Sequence, residues 1–369
     1  MHTKPLLASA LIAVSAPSAW AQSTVQLYGI VDAAIRHTTN EGASGDGKLT
    51  QMVGGGMSQS RWGINVTEDL GNGLKALANL ENRFLADTGS PATTNYFQQS
   101  WVGLQSASFG RLTFGRQYNV LFDVVTTTYA SFPYSPYFEA FKPEIGFSLS
   151  ARASNMIKYV IDYGPLRAGV QYSPGEDAPT GGRTAGGYLR YASGGLAIGG
   201  AVQNYVFGSG RKIEAWTLGG SYRVNRWYFN AGLGQNKLDG GLLTAPVDLA
   251  ILSSLWSGTS PSNGNFGGPA FLAADKRQIA KLGVGYQITP QLNLGAHLFR
   301  TKQSGPTLAG DARATFFVMA ADYAFSKRTD AYVELDTTRL KGDANLNGTT
   351  TPGGPRSRNG YTIGLRHRF

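Results

Sequence analysis

The pattern in this chain that suggests a function is formed by charged side chains rather than by nucleophiles or metal ligands. The 369 residues include no cysteine, and beyond residue 21 the histidines are His37, His297 and His367. His37 lies at the first long link, His367 lies on an apolar phase, and His297 has no evident serine or acidic partner nearby in sequence as a triad would need. The glycine-rich stretches GGGMSQS and GGPRSRNG carry no Walker lysine, and no cluster has metal-ligand spacing. No catalytic residue, cofactor or metal is predicted.

Arginine and lysine instead recur on one phase of segments that alternate apolar and polar residues. Arg36 ends VQLYGIVDAAIR, Arg61 lies in SQSRWGINVTE, and Lys75 and Arg83 lie in LKALANLENRF. In each segment the cation shares its phase with other polar residues, and the opposite phase is apolar. Cations aligned on one wall of a passage attract anions, so these residues are candidates for charge selection.

The alternation itself predicts strands, because successive side chains of a strand point to opposite faces. After residue 21 no stretch approaches the roughly 18 consecutive apolar residues that a membrane helix needs. An apolar phase against lipid and a polar phase against water are typical of a transmembrane barrel strand. Sixteen such segments are predicted, near residues 25–36, 57–68, 74–85, 95–106, 111–118, 153–162, 166–173, 184–192, 196–206, 212–224, 227–236, 276–288, 292–301, 313–325, 331–340 and 359–369.

The links between segments fall into two classes that alternate along the chain. Short turns such as EDLGNG, SFG and DYGP would face the periplasm, and longer links rich in Gly, Ser, Thr, Asn and Pro would be extracellular. The long links include 37–56, 118–152, 237–275 and 341–358. An even number of about sixteen strands predicts an all-β, antiparallel transmembrane barrel with a water-filled interior.

The N-terminus predicts export. A lone Lys4 precedes an apolar run from Leu6 to Val14, and small residues end in Ala19-Trp20-Ala21. This pattern predicts a secretory signal peptide over residues 1–21 and a barrel over 22–369. Removal of Lys4, the one charge of that segment, lowers the net charge from +10 to +9. The positive charge could match anionic solutes or an acidic surface, whereas export argues against nucleic acid.

Several stretches together carry a family resemblance. They are STVQLYGIVDA, SRWGINVTEDLGNGLKALANLE, WVGLQSASFGRLTFGRQYNVLFD, RASNMIKY and the closing GLRHRF. The chain resembles the general porins of β-proteobacteria, of the Burkholderia, Bordetella and Comamonas type, which are related to neisserial porins. The resemblance implies a Gram-negative outer-membrane channel, usually a homotrimer, whose third loop folds inward. It also implies that Phe369 belongs to the signal read by the barrel-assembly machinery.

In such a channel the third loop, residues 118–152, would form the constriction. It carries Asp123, Glu139 and Glu144, the last within Pro143-Glu144-Ile145-Gly146, which resembles the family's loop tip. The expected basic wall opposite comprises Arg36, Arg61, Lys75, Arg83, Arg116 and Lys158. The family often has lysine at position 65, glycine after the strand-three glutamate and threonine at position 36. Asn65, Arg83 and Arg36 depart from that pattern, so the basic wall is rearranged.

The expected function is passive diffusion of small hydrophilic solutes and ions, anionic or neutral, with a preference for anions. A channel specific for organic acids stays open as an alternative, and six aromatic residues between Tyr129 and Phe141 leave room for aromatic acids. A barrel enzyme or an adhesin is a remote alternative. Expected partners are outer-membrane lipid and lipopolysaccharide, further copies of the chain and the assembly machinery.

Overall fold

The structure is a computed structural model that describes residues 23–42, 44–93, 95–131, 142–144, 151–176, 182–208, 210–239, 275–305, 311–342 and 355–369. These residues form one helix and seventeen strands. The helix α1 is Val120–Thr128. The strands are β1 Thr24–Glu41, β2 Gly47–Val53, β3 Arg61–Gly71, β4 Leu74–Arg83, β5 Phe97–Ser106, β6 Gly110–Tyr118, β7 Arg152–Tyr163, β8 Leu166–Ser173, β9 Arg183–Ser193, β10 Leu196–Val206, β11 Lys212–Val224, β12 Trp227–Leu238, β13 Lys276–Gln287, β14 Leu292–Ser304, β15 Ala312–Ala324, β16 Thr329–Gly342 and β17 Ser357–Arg368.

The strands close into a ring. From β3 onward each strand pairs antiparallel with the next, and β17 returns to pair with β1 over Ile30–Thr38. On its other side β1 pairs with two short partners, with β3 through residues 24–30 and with β2 through residues 34–41. Because β2 and β3 together occupy one position, the ring has sixteen positions. This confirms the predicted sixteen-stranded antiparallel barrel.

The two phases of the strands differ in exposure as a barrel in lipid requires. Outward side chains include Val25, Val170 and Leu282, which are 67%, 56% and 62% exposed. Their inward neighbours along the same strands are polar or packed against inner elements, for example the buried Gln171 and Lys281. Closure of the ring gives the backbone N–H and C=O groups of the strands hydrogen-bond partners, which the hydrocarbon of a bilayer cannot supply. Among the described residues, no helix is long and apolar enough to cross a membrane.

The second position of the ring is interrupted by residues 54–60, which we term the inner insert. Ala34 pairs with Val53 and Ile30 with Arg61, so three residues of β1 face seven residues of the neighbouring chain segment. The four additional residues bend into the barrel, where the hydroxyl of Tyr332 accepts from the amides of Gly56 and Met57. The predicted second strand, 57–68, was therefore wrong at its start. Residues 47–53, predicted as part of a link, form β2.

The helix α1 lies inside the barrel at the start of the link between β6 and β7. The side chain of Asn119 accepts from the Phe122 amide at 2.8 Å and caps its first turn. The apolar face packs on β9, β10 and β11, where small inward residues make room. A Cβ at Gly199 would lie 2.8 Å from the Val124 side chain. The sequence predicted a loop here and did not predict the helix.

Candidate functional site

Three arginines meet on the inner wall formed by β3, β4 and β7. Arg61 and Arg83 are direct register partners, and Arg83 contacts Glu81 Oε1 at 3.2 Å. Arg152 reaches the same carboxylate oxygen at 4.0 Å. Both Arg83 and Arg152 donate to the hydroxyl of Tyr118. We term Arg61, Arg83 and Arg152, with Glu81 and Tyr118, the arginine cluster.

Neighbouring polar groups fix the geometry of this cluster. Gln59, at the end of the inner insert, accepts from Arg83 Nη1 at 2.6 Å through its side chain and from Arg61 Nε at 3.1 Å through its carbonyl. The Arg152 guanidinium lies 4.2 Å from the centroid of the Tyr118 ring, a cation–π distance. The cluster therefore has preset positions rather than freely swinging side chains.

The first turns of α1 are joined to the same wall. The Tyr118 ring stacks on Phe122 with 3.7 Å between centroids and 6° between planes. Lys158 forms an ion pair of 2.8 Å with Asp123 and donates to the Tyr118 carbonyl at 2.9 Å. Asp123 and Lys158, expected on opposite sides of a constriction, thus contact each other directly. Their pair holds the helix against β7.

At its other end α1 is held by Tyr129. The Tyr129 ring lies where Cβ atoms of Gly219 and Gly232 would be, and its hydroxyl bonds to Thr217. Burial raises the pKa of this hydroxyl, so it stays protonated at neutral pH. The helix therefore bridges the arginine cluster and the β11–β12 wall.

Arg36 belongs to a different part of the inner wall. Its Nη1 lies 2.6 Å from Asp336 Oδ2 and donates to Thr362 at 2.8 Å, and both side chains of the ion pair are almost fully buried. Closer to the C-terminal end of β17, Arg366 contacts Asp330 at 3.0 Å and donates to Ser58 of the inner insert at 2.7 Å. The β1–β16–β17 wall is therefore a mixed network of acids and arginines, with Arg36 close to a carboxylate.

Two predicted wall residues lie away from the arginine cluster. Lys75 is exposed at the opposite end of β4, opposite Asp69, about 26 Å along the strand from Arg83. Arg116 of β6 pairs in register with Ser100 of β5, next to a positive-φ glycine, Gly115. Arg116 donates to Ser154 at 3.0 Å. Its place in the basic wall stays a prediction.

The loop carboxylates are only partly described. Glu139 lies outside the described residues. Glu144 is fully buried, and its carbonyl accepts from Asn119 at 3.5 Å. Beside it the Pro143 carbonyl accepts from Asn236 of β12 at 3.2 Å, and Lys281 of β13 is an electrostatic neighbour of Glu144. This part of the link therefore rests on the β12–β13 wall.

Sequence reasoning missed Arg152, Glu81, Tyr118 and Asp336 as site residues. Glu81 could have been found, because it shares the polar phase of LENRF with Arg83. Tyr118 and Arg152 flank the long link and meet because β6 and β7 pair across it. Among the described residues no group of three or more His, Cys, Asp or Glu could hold a metal ion.

Comparisons with known proteins agree with this architecture. A family model described as Gram-negative porin matches residues 8–343. Outer membrane porin protein 32 of Delftia acidovorans is 28% identical over 396 residues, covering 99% of both chains. An outer membrane porin protein of Bordetella pertussis is 35% identical over 196 residues, which span 46% of this chain and 48% of that protein.

Solved structures show the same fold. The anion-selective porin from Comamonas acidovorans superposes with a TM-score of 0.74 at 24% identity, covering 94% of this chain and 100% of that one. OmpT of Vibrio cholerae in its trimer form superposes with a TM-score of 0.65 at 15% identity, covering 94% of this chain and 99% of that one. The chain belongs to the Gram-negative porin family, and its closed barrel is an outer-membrane porin.

Proposed function

We propose that this porin passes small hydrophilic solutes and prefers anions. The arginine cluster carries the proposal, because three guanidinium groups gather around one described carboxylate on the inner wall. The related solved structure named as an anion-selective porin and the positive net charge of the chain support the same sign. Solutes passing between low-dielectric walls feel such charges strongly, since little water screens them.

Reversal potentials in a salt gradient across planar bilayers test the preference. We expect the unaltered protein to favour chloride over potassium, and Arg83→Gln to lower the permeability ratio. Lys75→Gln is the matched control, because it removes the same charge far from the cluster and is expected to have the smaller effect. A cation-selective unaltered channel would overturn the proposal.

A channel specific for organic acids is the second candidate. It is favoured by the fixed, paired guanidinium groups of Arg83 and Arg152, whose planar forks suit carboxylates. Conductance measured against rising concentrations of benzoate and acetate separates the two candidates. Saturation indicates a binding site, whereas a linear rise with equal behaviour of both acids indicates a sieve.

We infer that the porin assembles as a homotrimer, as OmpT of Vibrio cholerae does in its trimer form. Cross-linking of the protein in native outer membranes tests this. A trimeric band is expected, and an exclusively monomeric barrel would contradict the inference.

Phe369 is proposed as part of the assembly signal. Its backbone continues the ladder, since Phe369 N donates to Gly29 O at 3.1 Å and Gly29 N donates back at 3.0 Å. The exposed ring lies at the β1–β17 junction. Phe369→Ala should slow insertion in cells while leaving refolding into lipid vesicles near normal. If insertion in cells and refolding into lipid vesicles slow to the same extent, Phe369 has a structural role only.

Residues 1–21 are proposed as the cleaved signal peptide, and they lie outside the described residues. Mass spectrometry of the protein purified from outer membranes should place its N-terminus at Gln22. A mature chain that retains Met1 would contradict this.

A further inference from the structure

Five cations lie together on the outer face of the barrel, at the ends of three neighbouring strands. Two come from β14, one from β15 and two from β16, and all five are exposed. They continue the outward phases of Leu298, Phe317 and Leu335, which are 43%, 38% and 47% exposed. We term them the outer basic patch: Arg300, Lys302, Arg313, Arg339 and Lys341.

Strand register places these cations side by side. Lys302 pairs with Arg313, and Arg313 pairs with Lys341, so one row across three strands is entirely cationic. In the next row Arg300 and Arg339 both pair with Thr315. Directly opposite side chains of a ladder have Cβ atoms about 5 Å apart, and like charges at that spacing destabilise the sheet.

No ion pair within the described residues offsets this repulsion. Across the described ranges, none of the five cations forms a hydrogen bond or an ion pair. On β13–β16 the carboxylates Asp322, Asp330, Glu334 and Asp336 belong to the inward phase, and the outward phase has no acid. An anionic partner outside the chain would remove the conflict.

The patch lies at the height of lipid headgroups. Arg300 follows Leu298 by two residues, which is about 7 Å along the strand beyond the apolar band. This end of β14–β16 carries the longer links, and the other end carries the short turn to Thr329 and the C-terminus. Long links face outward in an outer-membrane barrel. The patch therefore borders the outer leaflet, and its outward direction faces lipid rather than the pore.

We propose that the outer basic patch binds the phosphate groups of lipopolysaccharide in the outer leaflet. Arginine and lysine are the side chains that recognise phosphate, and clusters of them beside a membrane bind anionic headgroups. A second copy of the chain fits less well, because a symmetric contact through this patch would place cations against cations. At the barrel surface the cationic row takes the place of the divalent cations that otherwise bridge neighbouring anionic lipids.

Titration of the detergent-solubilised protein with rough lipopolysaccharide, read by native mass spectrometry, tests the proposal. The triple variant Lys302→Gln, Arg313→Gln, Lys341→Gln removes the cationic row. Its matched control is Arg226→Gln, Lys327→Gln, Arg328→Gln, which removes three cations at the short-turn end. We expect the patch variant to bind at least about tenfold more weakly than the control. Binding to the unaltered protein should persist in EDTA.

A second arm uses the unaltered protein and dephosphorylated lipopolysaccharide, so the proposal can fail even if the triple variant does not fold. Loss of binding with the dephosphorylated lipid supports the patch. Equal binding of both lipids, or equal affinity of the two triple variants, overturns it. So would a change in the number of protein copies per particle in the patch variant without a change in bound lipid, which would identify a protein interface. Single-channel conductance is expected to be unchanged, because the patch lies outside the pore.

Discussion

Tyr118 is the residue on which the arginine cluster depends most directly. Its hydroxyl accepts from Arg83 and Arg152, and its ring is stacked on Phe122 of α1. Tyr118→Phe keeps the stacking and removes the acceptor. Since bonds to charged groups contribute about 1.5–3 kcal/mol, we expect a loss of about 2 kcal/mol in the unfolding free energy. Urea unfolding in lipid vesicles measures it.

The control for Tyr118→Phe is Tyr28→Phe. The Tyr28 hydroxyl donates to Glu81 at 3.2 Å and accepts from Asn79 at 3.0 Å, so it also loses two bonds, but neither has an arginine donor. A smaller loss is expected there. Anion preference should survive Tyr118→Phe because the guanidinium groups remain. Selectivity lost together with unchanged stability would contradict this account of the cluster.

For single residues, the sequence predicts the strand face on which a side chain lies better than it predicts the residues that the side chain contacts. Arg36, Arg61 and Arg83 share the polar phase of their segments and lie inward, as alternation requires. Arg116 shows the limit of reasoning from phase, because Leu112 and Phe114 before it are exposed whereas Tyr118, two residues after it, contacts the inward Arg83. Pairing of Arg36 with Asp336 depends on ring closure, which joins residues 300 positions apart.

The inner insert is an element whose position depends on one buried carboxylate. Asp32 accepts from the amides of Gly56 at 3.1 Å and Ser58 at 2.6 Å and from the Tyr332 hydroxyl at 2.5 Å. Asp32→Ala removes this shared acceptor in a site without solvent exposure, and the Gly56 amide keeps only the Tyr332 hydroxyl among these partners. We expect a loss of about 3 kcal/mol in the unfolding free energy and noisier single-channel currents, because the insert lies inside the barrel.

Asp69→Ala is the matched control for Asp32→Ala. Asp69 lies at the exposed turn between β3 and β4, where its carboxylate accepts from the Gly71 amide at 2.9 Å. The same charge is removed, yet the unfolding free energy and the current noise should barely change. Equal effects of the two substitutions would show that Asp32 does not position the insert.

The helix α1 should likewise depend on its buried ion pair. Lys158→Met removes the partner of Asp123, whose side chain is 22% exposed and stays near the wall. We expect a loss of about 2 kcal/mol in the unfolding free energy and channel closure at lower applied voltage, measured in planar bilayers. Arg167→Met breaks an exposed pair with Asp162 and should cost less than about 1 kcal/mol. Similar closure voltages in both variants would contradict the role of Lys158.

Alternation predicted strand elements well and irregular elements poorly. Segments such as 166–173 and 196–206 have the bounds that the structure shows for β8 and β10. The inner insert and α1 could not be predicted this way, since neither has a period of two. Their positions follow from tertiary contacts with Asp32 and Tyr332 and with the small inward residues of β10 and β11.

Closure into one ring explains how the whole molecule is stable without disulfides. The ladder between β1 and β17 removes the free edges that an open sheet of this size would present. Composition and segment count predicted this state, because a cysteine-free exported chain with sixteen alternating segments needs continuous pairing. The net charge of the molecule also follows from the sequence. The distribution of that charge between the pore wall, the β1–β16–β17 network and the outer basic patch does not.

The anion preference should fall as ionic strength rises, because it arises from fixed charges that mobile ions screen. The Debye length shortens from about 30 Å at 0.01 M to about 3 Å at 1 M salt. Reversal potentials taken at a constant concentration ratio, but at mean concentrations of about 0.03 M and 1 M, measure the change. We expect the chloride-to-potassium permeability ratio to decrease severalfold. Arg83→Gln should show a weaker dependence, because one cation of the cluster is gone. A ratio that is independent of salt would indicate selection by a dehydrating contact rather than by the field of the arginine cluster.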